Sequence, residues 1–232
     1  MSASPTARLA LLQLASPALP IGGYSYSSGL EWAIDAGEVR DDAQARAWSA
    51  DALALSLASF EGPLMRAALA AAAELPSEAA LDALAALNAR AIAARETAEL
   101  RLESEQMGHS LAKWIEAVCP DAAVDARLAE RLAPPALPVA WAIAAHRLGL
   151  EARDALVALF WSFAENQAMV LMKAVPMGQV AAQRLLRALA PDIDAAVEAA
   201  LAREPHAWSS SAPGLAIASS RHETQYSRLF RS

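Results

Sequence analysis

Apolar residues recur at spacings of three and four along most of the 232-residue chain, the mark of amphipathic helices. The first run, from Leu9, stops where Pro17 and Pro20 fix their own φ and push Ser16 and Leu19 into extended backbone. Gly22 and Gly23 follow as a turn, and Ser25 to Ser28 offer N-caps to a helix through Leu30, Trp32, Ala33 and Ile34. Gly37 ends that helix, and Asp41-Asp42 cap a third that carries Trp48, Leu53, Leu55, Leu57 and Phe60. Gly62-Pro63 predicts a break or kink before Leu64 to Glu74, and Ser77 opens a helix through Leu81, Leu84, Leu87 and Ala91.

From Arg95 to Val118 the pattern is the most polar in the chain. One face reads Leu100, Ser104, Met107, Leu111, Trp114 and Val118; the other carries Arg95, Glu96, Glu99, Glu103 and Gln106. Glu99 and Glu103 share a face, which suits acid–base work or a metal. With Arg95 and Arg101 close by, the pattern predicts a solvated or interfacial ion-pair ladder. A mid-helix Gly108 points to a close helix crossing. Asp121 to Leu132 is a short helix closed by prolines, and Pro138 starts the next one, Val139 to Leu148. Glu151 to Val175 is apolar nearly all round and belongs in the centre of a bundle. Its exceptions, Glu165, Asn166, Gln167 and Lys173, need partners or a water-filled path. Pro176-Met-Gly178 is a hinge, followed by a helix through Leu185, Leu186 and Leu189 and a short one over Asp192 to Arg203.

The expected fold is therefore all-α: a single-domain bundle of about ten helices over residues 1–204. After it comes a loosely ordered tail, 205–232, that is serine-rich and ends in Tyr226, Leu229 and Phe230. Composition agrees, because 56% of the residues are hydrophobic and only 6% aromatic, so alanine supplies much of the apolar content and helices can pack closely. The net charge of −7 and pI near 5.1 argue against nucleic acid as a partner. The single Cys119 forms no internal disulfide and fits a reducing compartment. Mean hydropathy is positive, yet no stretch reaches about 18 apolar residues without a charge or a break, so no membrane span is expected. Arg8 followed by Leu9 to Leu12 outlines a signal peptide, but Gln13 and the prolines interrupt it.

Little of this is catalytic. The glycine turn lacks the lysine and preceding strand of a phosphate loop and the closing glycine of a nucleophile elbow. It reads instead as a structural turn or as a docking surface, to which Tyr24 and Tyr26 lend amphipathic rings. His109, His146, His206 and His222 are scattered, and His222-Glu223-Thr-Gln-Tyr226 has tyrosine where a zinc protease needs its second histidine. An enzyme or adaptor of another kind would have its site between the Gly22-Gly23 loop and the Glu99/Glu103 face.

Four stretches carry a resemblance. Leu11-Leu-Gln-Leu-Ala-Ser-Pro-Ala-Leu-Pro-Ile-Gly-Gly-Tyr-Ser-Tyr-Ser-Ser-Gly-Leu-Glu31, Arg95 to Leu111, Val175-Pro-Met-Gly-Gln179 and the tail His222 to Ser232 together closely resemble the urease accessory protein F family, in order and spacing over nearly the whole chain. Tyr24 stands where phenylalanine is common. The resemblance implies an all-α, non-enzymatic cytoplasmic chaperone for nickel insertion into urease. It would bridge accessory protein D (called H in some organisms) and the nickel-carrying GTPase, accessory protein G, and dock through that assembly on apo-urease. It also implies a homodimer, a tail that binds the D/H partner, some influence on the GTPase, and no tightly bound cofactor, with nickel and GTP handled by partners. Partner-binding positions would be Pro20, Ile21, Gly22, Gly23, Tyr24, Ser25, Tyr26, Ser27, Gly29 and Glu31 in the loop. Arg95, Glu96, Glu99, Arg101 and Glu103 would add to these from the polar helix, and His222, Glu223, Tyr226, Arg228, Leu229 and Phe230 from the tail.

Overall fold

The computed structural model describes residues 4–175 and 177–232, so the Pro176 part of the expected hinge lies outside the described residues. The regular elements among them are all helical: α1 (Pro5–Leu14), α2 (Leu30–Asp35), α3 (Asp42–Ala52), α4 (Gly62–Ala72), α5 (Glu78–Ala93), α6 (Ala98–Val118), α7 (Ala122–Arg131), α8 (Leu137–Arg147), α9 (Ala152–Ala174), α10 (Gln179–Ala202) and α11 (Pro213–His222). A π-helical segment, Leu53–Glu61, joins α3 to α4 without interruption. Short 3₁₀ turns lie at Gly23–Ser25 and Pro205–Ala207.

The start signals at Asp41 and Ser77 act as expected. Their side chains, and those of Thr97 and Asp121, each accept a bond from a backbone N–H of the following turn. The proline breaks do not. Pro63 sits at the start of α4 inside one rod running from Asp42 to Ala72, because the preceding wide turns change which carbonyls need a donor. Pro191 likewise lies inside α10, where two helices were expected. Leu185, Leu186, Leu189, Ile193, Ala196 and Val197 form one buried stripe across the proline, and burying that stripe outweighs the lost hydrogen bond.

The core has two central helices. α9 is packed along α10, as its pattern suggested, while α8 is wedged between α4 and α6 and is buried without a gap from Pro138 to Ala145. The Trp141 indole N–H is satisfied there by the Ala155 carbonyl, 3.1 Å away. By length and composition α9 could cross a membrane, which corrects the expectation that no stretch would qualify: Glu165 to Gln167 are too few to break its most apolar window. Most of that window is instead buried in the bundle.

The start of α8 is pinned from outside. Asn88 of α5 donates to the Pro134 carbonyl (2.9 Å) and accepts from the Ala136 N–H (2.7 Å), and Ser104 of α6 accepts from the Leu137 N–H (3.2 Å). α6 reaches this loop only because residue 108 lacks a side chain: a Cβ there would stand 2.1 Å from the Pro135 oxygen. Backbone, not a flexible side chain, would have to move. Gly108→Ala should therefore cost about 2–3 kcal/mol or more, read as a lower urea midpoint with an unchanged slope.

The final segment differs from expectation. Residues 205–232 are packed on the bundle: α11 lies against α2, and Ala218, Ser219, His222, Phe230 and Ser232 are buried. Arg90 stacks on Trp208, its guanidinium carbon 4.5 Å from the ring centroid. The Ser209 N–H and C=O pair with the Ser59 carbonyl and hydroxyl of the π-helical segment (3.1 and 2.7 Å). A polar composition concealed these specific partners.

Candidate functional site

The opening loop, the N-terminal half of α6 and the tail meet at one buried polar cluster. At its centre is the fully buried His222 ring. Nδ1 is 2.7 Å from Glu99 Oε2 and Nε2 is 3.0 Å from Glu31 Oε2. Glu31 also accepts the tail's backbone N–H groups of Leu229 (2.6 Å) and Phe230 (3.0 Å), while Arg228 donates to the second oxygen of Glu99 (2.7 Å). Glu223, next to His222, accepts from Ala98 N–H at 3.0 Å, so the tail caps α6 as an anion at a helix N-terminus. Thr97 and Ser219 share a 2.7 Å hydroxyl contact beneath it.

The serines expected to cap α2 have other work. The N-cap is Gly29, held at φ 80° with no side-chain bond, and a Cβ there would press on the Ala218 and Ser219 backbone. Ser28 donates to Glu103 (2.9 Å), whose other oxygen accepts from Ser232 (2.6 Å). Ser27 pairs with the Ser232 carbonyl through its N–H (2.7 Å), and the Arg231 N–H donates to the Ser25 carbonyl (2.8 Å), so loop and tail run together as a short backbone ladder. Tyr26 is buried and its hydroxyl donates to Gln106.

Above the cluster lies a cavity of about 380 Å³ between the glycine loop, α6, α9 and the π-helical segment. Glu61 and Arg95 face it as a pair 3.0 Å apart, each side chain only 12% exposed. The π-helical spacing places Ser56 five residues before Glu61, and its hydroxyl donates to the same carboxylate at 3.1 Å. Burial alone would push the Glu61 carboxyl up, but the Arg95 charge and the bonds from Arg95 and Ser56 hold it below the usual carboxylate range. Glu103 is the opposite case: burial pushes it up, against the pull of the Ser232 and Ser28 hydroxyls. Burial, with the nearby Glu165 carboxylate, also raises the Tyr24 phenol. The α9 amides are not paired with each other. Asn166 donates to the Tyr26 carbonyl (2.9 Å) and lines the cavity, whereas Gln167 is fully buried and donates to the Ser27 carbonyl (3.4 Å).

The sequence-picked positions thus divide. Ile21, Tyr26, Ser27, Gly29, Glu31, His222 and Phe230 are buried; Pro20, Gly22, Glu96, Arg101, Glu223, Tyr226, Arg228 and Leu229 are exposed; Gly23, Tyr24, Ser25, Arg95, Glu99 and Glu103 are intermediate. The expected ion-pair ladder on α6 is not formed: Glu99 and Glu103 turn to tail and loop, and Arg95 to Glu61. Glu61, Ser28 and Ser232 were not anticipated. The one available signal was that Glu31 is the only charge in an otherwise uncharged loop. The carboxylates offer no free catalytic pair, since each is committed to a partner, and among the described residues no group of three or more His, Cys, Asp or Glu side chains is arranged to hold a metal ion; Glu31, His222 and Glu99 bond to one another instead.

A family model described as UreF matches residues 39–190. The chain is 50% identical over 224 residues to the urease accessory protein UreF of an Azoarcus species, covering 96% of this chain and 94% of that one. It is 54% identical over 224 residues to the protein of the same name from Pseudomonas aeruginosa and 52% over 227 residues to that of Azotobacter vinelandii, in each case covering 96% of this chain and 98% of the relative.

Two consequences of the geometry are measurable. Arg95→Met leaves Glu61 buried without its cation and should lower stability by about 3–5 kcal/mol, seen in urea denaturation at neutral pH. Glu103→Gln should do the reverse in a pH-dependent way. A carboxyl whose folded value is raised contributes stability at low pH that is lost as pH rises, so the variant should gain on the parent as pH rises past the ordinary carboxylate value of about 4.3. A difference in urea midpoint that shrinks with rising pH would contradict this assignment.

Proposed function

The chain belongs to the UreF family of urease accessory proteins, and on that footing we propose that it is a non-catalytic cytoplasmic scaffold for nickel insertion into apo-urease. It bridges accessory protein D/H and the nickel-binding GTPase, accessory protein G, as a homodimer in an assembly in which the partners, not this chain, hold nickel and GTP.

The observation that best supports a binding role is the form of the tail. Its backbone is fixed by Glu31, Ser25 and Ser27, yet Tyr226 is fully exposed and Leu229 is 67% exposed. Exposed aromatic and aliphatic side chains on a fixed backbone are what an interface anchor requires. Large apolar side chains are also exposed at Ile217 on α11 and Leu102 on α6. The competing enzymatic reading has a cavity in the place expected for it, but its acid groups are already committed, Glu61 to Arg95 and Ser56 and Glu103 to Ser28 and Ser232.

Replacing Tyr226 and Leu229 together by alanine should leave the helix content unchanged and reduce retention of the D/H partner at least about tenfold, the loss of roughly 1.4 kcal/mol or more expected when anchors are truncated. Retention equal to the parent's in a pull-down with purified partner would refute the role given to the tail. Turnover of a small substrate by the isolated chain would refute the non-catalytic reading.

A further inference from the structure

The buried cluster has a proton count that its hydrogen bonds impose. Glu31 Oε2 and Glu99 Oε2 both stand at hydrogen-bond distance from the one imidazole of His222, at 3.0 and 2.7 Å. Ionised carboxylates only accept, and a neutral imidazole has a single N–H. For both contacts to be hydrogen bonds, the three groups must hold two protons among them. Charge gives the same answer. With two carboxylates and Arg228, which donates to Glu99 at 2.7 Å, a protonated ring brings the sum to zero in a place where His222 is fully buried.

We propose that docking of the tail on α2 and α6 takes up a proton, so that segment 222–232 is a proton-linked latch. Undocked, the same groups are in water, where near neutral pH carboxylates are ionised and imidazole is largely neutral. The docked cluster then holds about one proton more than the released one. Its other neighbours do not remove the need for it. On the tail side Glu223 is committed to the Ala98 N–H, and Arg221 is exposed. On α6 Glu103 is held by the Ser28 and Ser232 hydroxyls and Arg101 is exposed; on α2 Asp35 is exposed. Thr97 and Ser219 are neutral and bonded to each other. The latch therefore holds best in mild acid and loosens as pH rises. What it releases is large: the Leu229 and Phe230 N–H groups leave Glu31, and Tyr226 and Leu229 lose their fixed positions.

Amide hydrogen exchange of the full chain, corrected for the intrinsic pH dependence of exchange, reads the opening of the latch at Leu229 and Phe230. The opening constant should rise with pH above the ordinary imidazole value of about 6.5, by at most tenfold per unit for one proton, while amides of α9 stay protected. Glu99→Gln supplies the missing proton permanently, because its amide can donate to Nδ1 and accept from Arg228. It should flatten the dependence to under about twofold across the range. A parent opening constant that does not change with pH, tail amides unprotected even at the acid end, or a Glu99→Gln variant that keeps the parent's slope would each overturn the proposal. None of these outcomes depends on which partner the tail meets.

Discussion

The constraint on which this structure turns is the burial of Glu31. Its side chain is 6% exposed, and a carboxylate so placed is tolerated only when its oxygens are fully engaged. No residue near it in sequence can do that. The donors come from the other end of the chain: His222, and the backbone of Leu229 and Phe230. Once that demand is met, much else is fixed. Tail backbone must run beside the opening loop, His222 must reach Glu99 on its second nitrogen, and Gly29 must lack a side chain for α11 to lie close. A single carboxylate thus ties the first thirty residues of the chain to the last ten.

This explains what the sequence could and could not reveal. Helix positions are local matters of period and cap, and Asp41 and Ser77 mark their starts where the structure has them. Prolines misled because their local cost of about 3 kcal/mol is smaller than the burial of a continuous stripe such as Leu185 to Val197 in α10. The polar face of α6 misled for another reason. Glu99 and Glu103 have arginines close by in sequence, and period alone assigns them to a solvated or interfacial ladder, but their partners lie 75 to 129 residues away. No periodicity encodes such a pairing. The tail was obscured in the same way, since a serine-rich composition says nothing about Ser232 reaching Glu103.

The family resemblance and the geometry meet at this cluster. Of the four stretches that resemble the UreF family, the opening loop, the start of α6 and the tail are the three that build it. The matched family segment, residues 39–190, contains only the α6 part, so the near-complete coverage by UreF relatives is what joins all three to the family. The residues that make the sequence recognisable are in good measure those that satisfy one another's buried polar groups. Their immediate effect is on the shape of the protein, and any partner would feel Glu31, Ser27 or His222 through the surface they hold in place.

That distinction bears on how the proposed scaffold would be selective. A loose tail would have to order itself at the moment of binding, losing on the order of 1–2 kcal/mol of backbone freedom for each residue fixed. Here the ladder to Ser25 and Ser27 and the bonds to Glu31 have already ordered it, so in the proposed role Tyr226 and Leu229 would meet a partner with much of that loss already met. The same arrangement makes the surface conditional. The anchors are on the outside, but the groups that hold them are ionisable and buried. If the proposed role holds, whatever changes the balance at Glu31, His222 and Glu99 would change what the partner finds, with no need to alter a single contact residue.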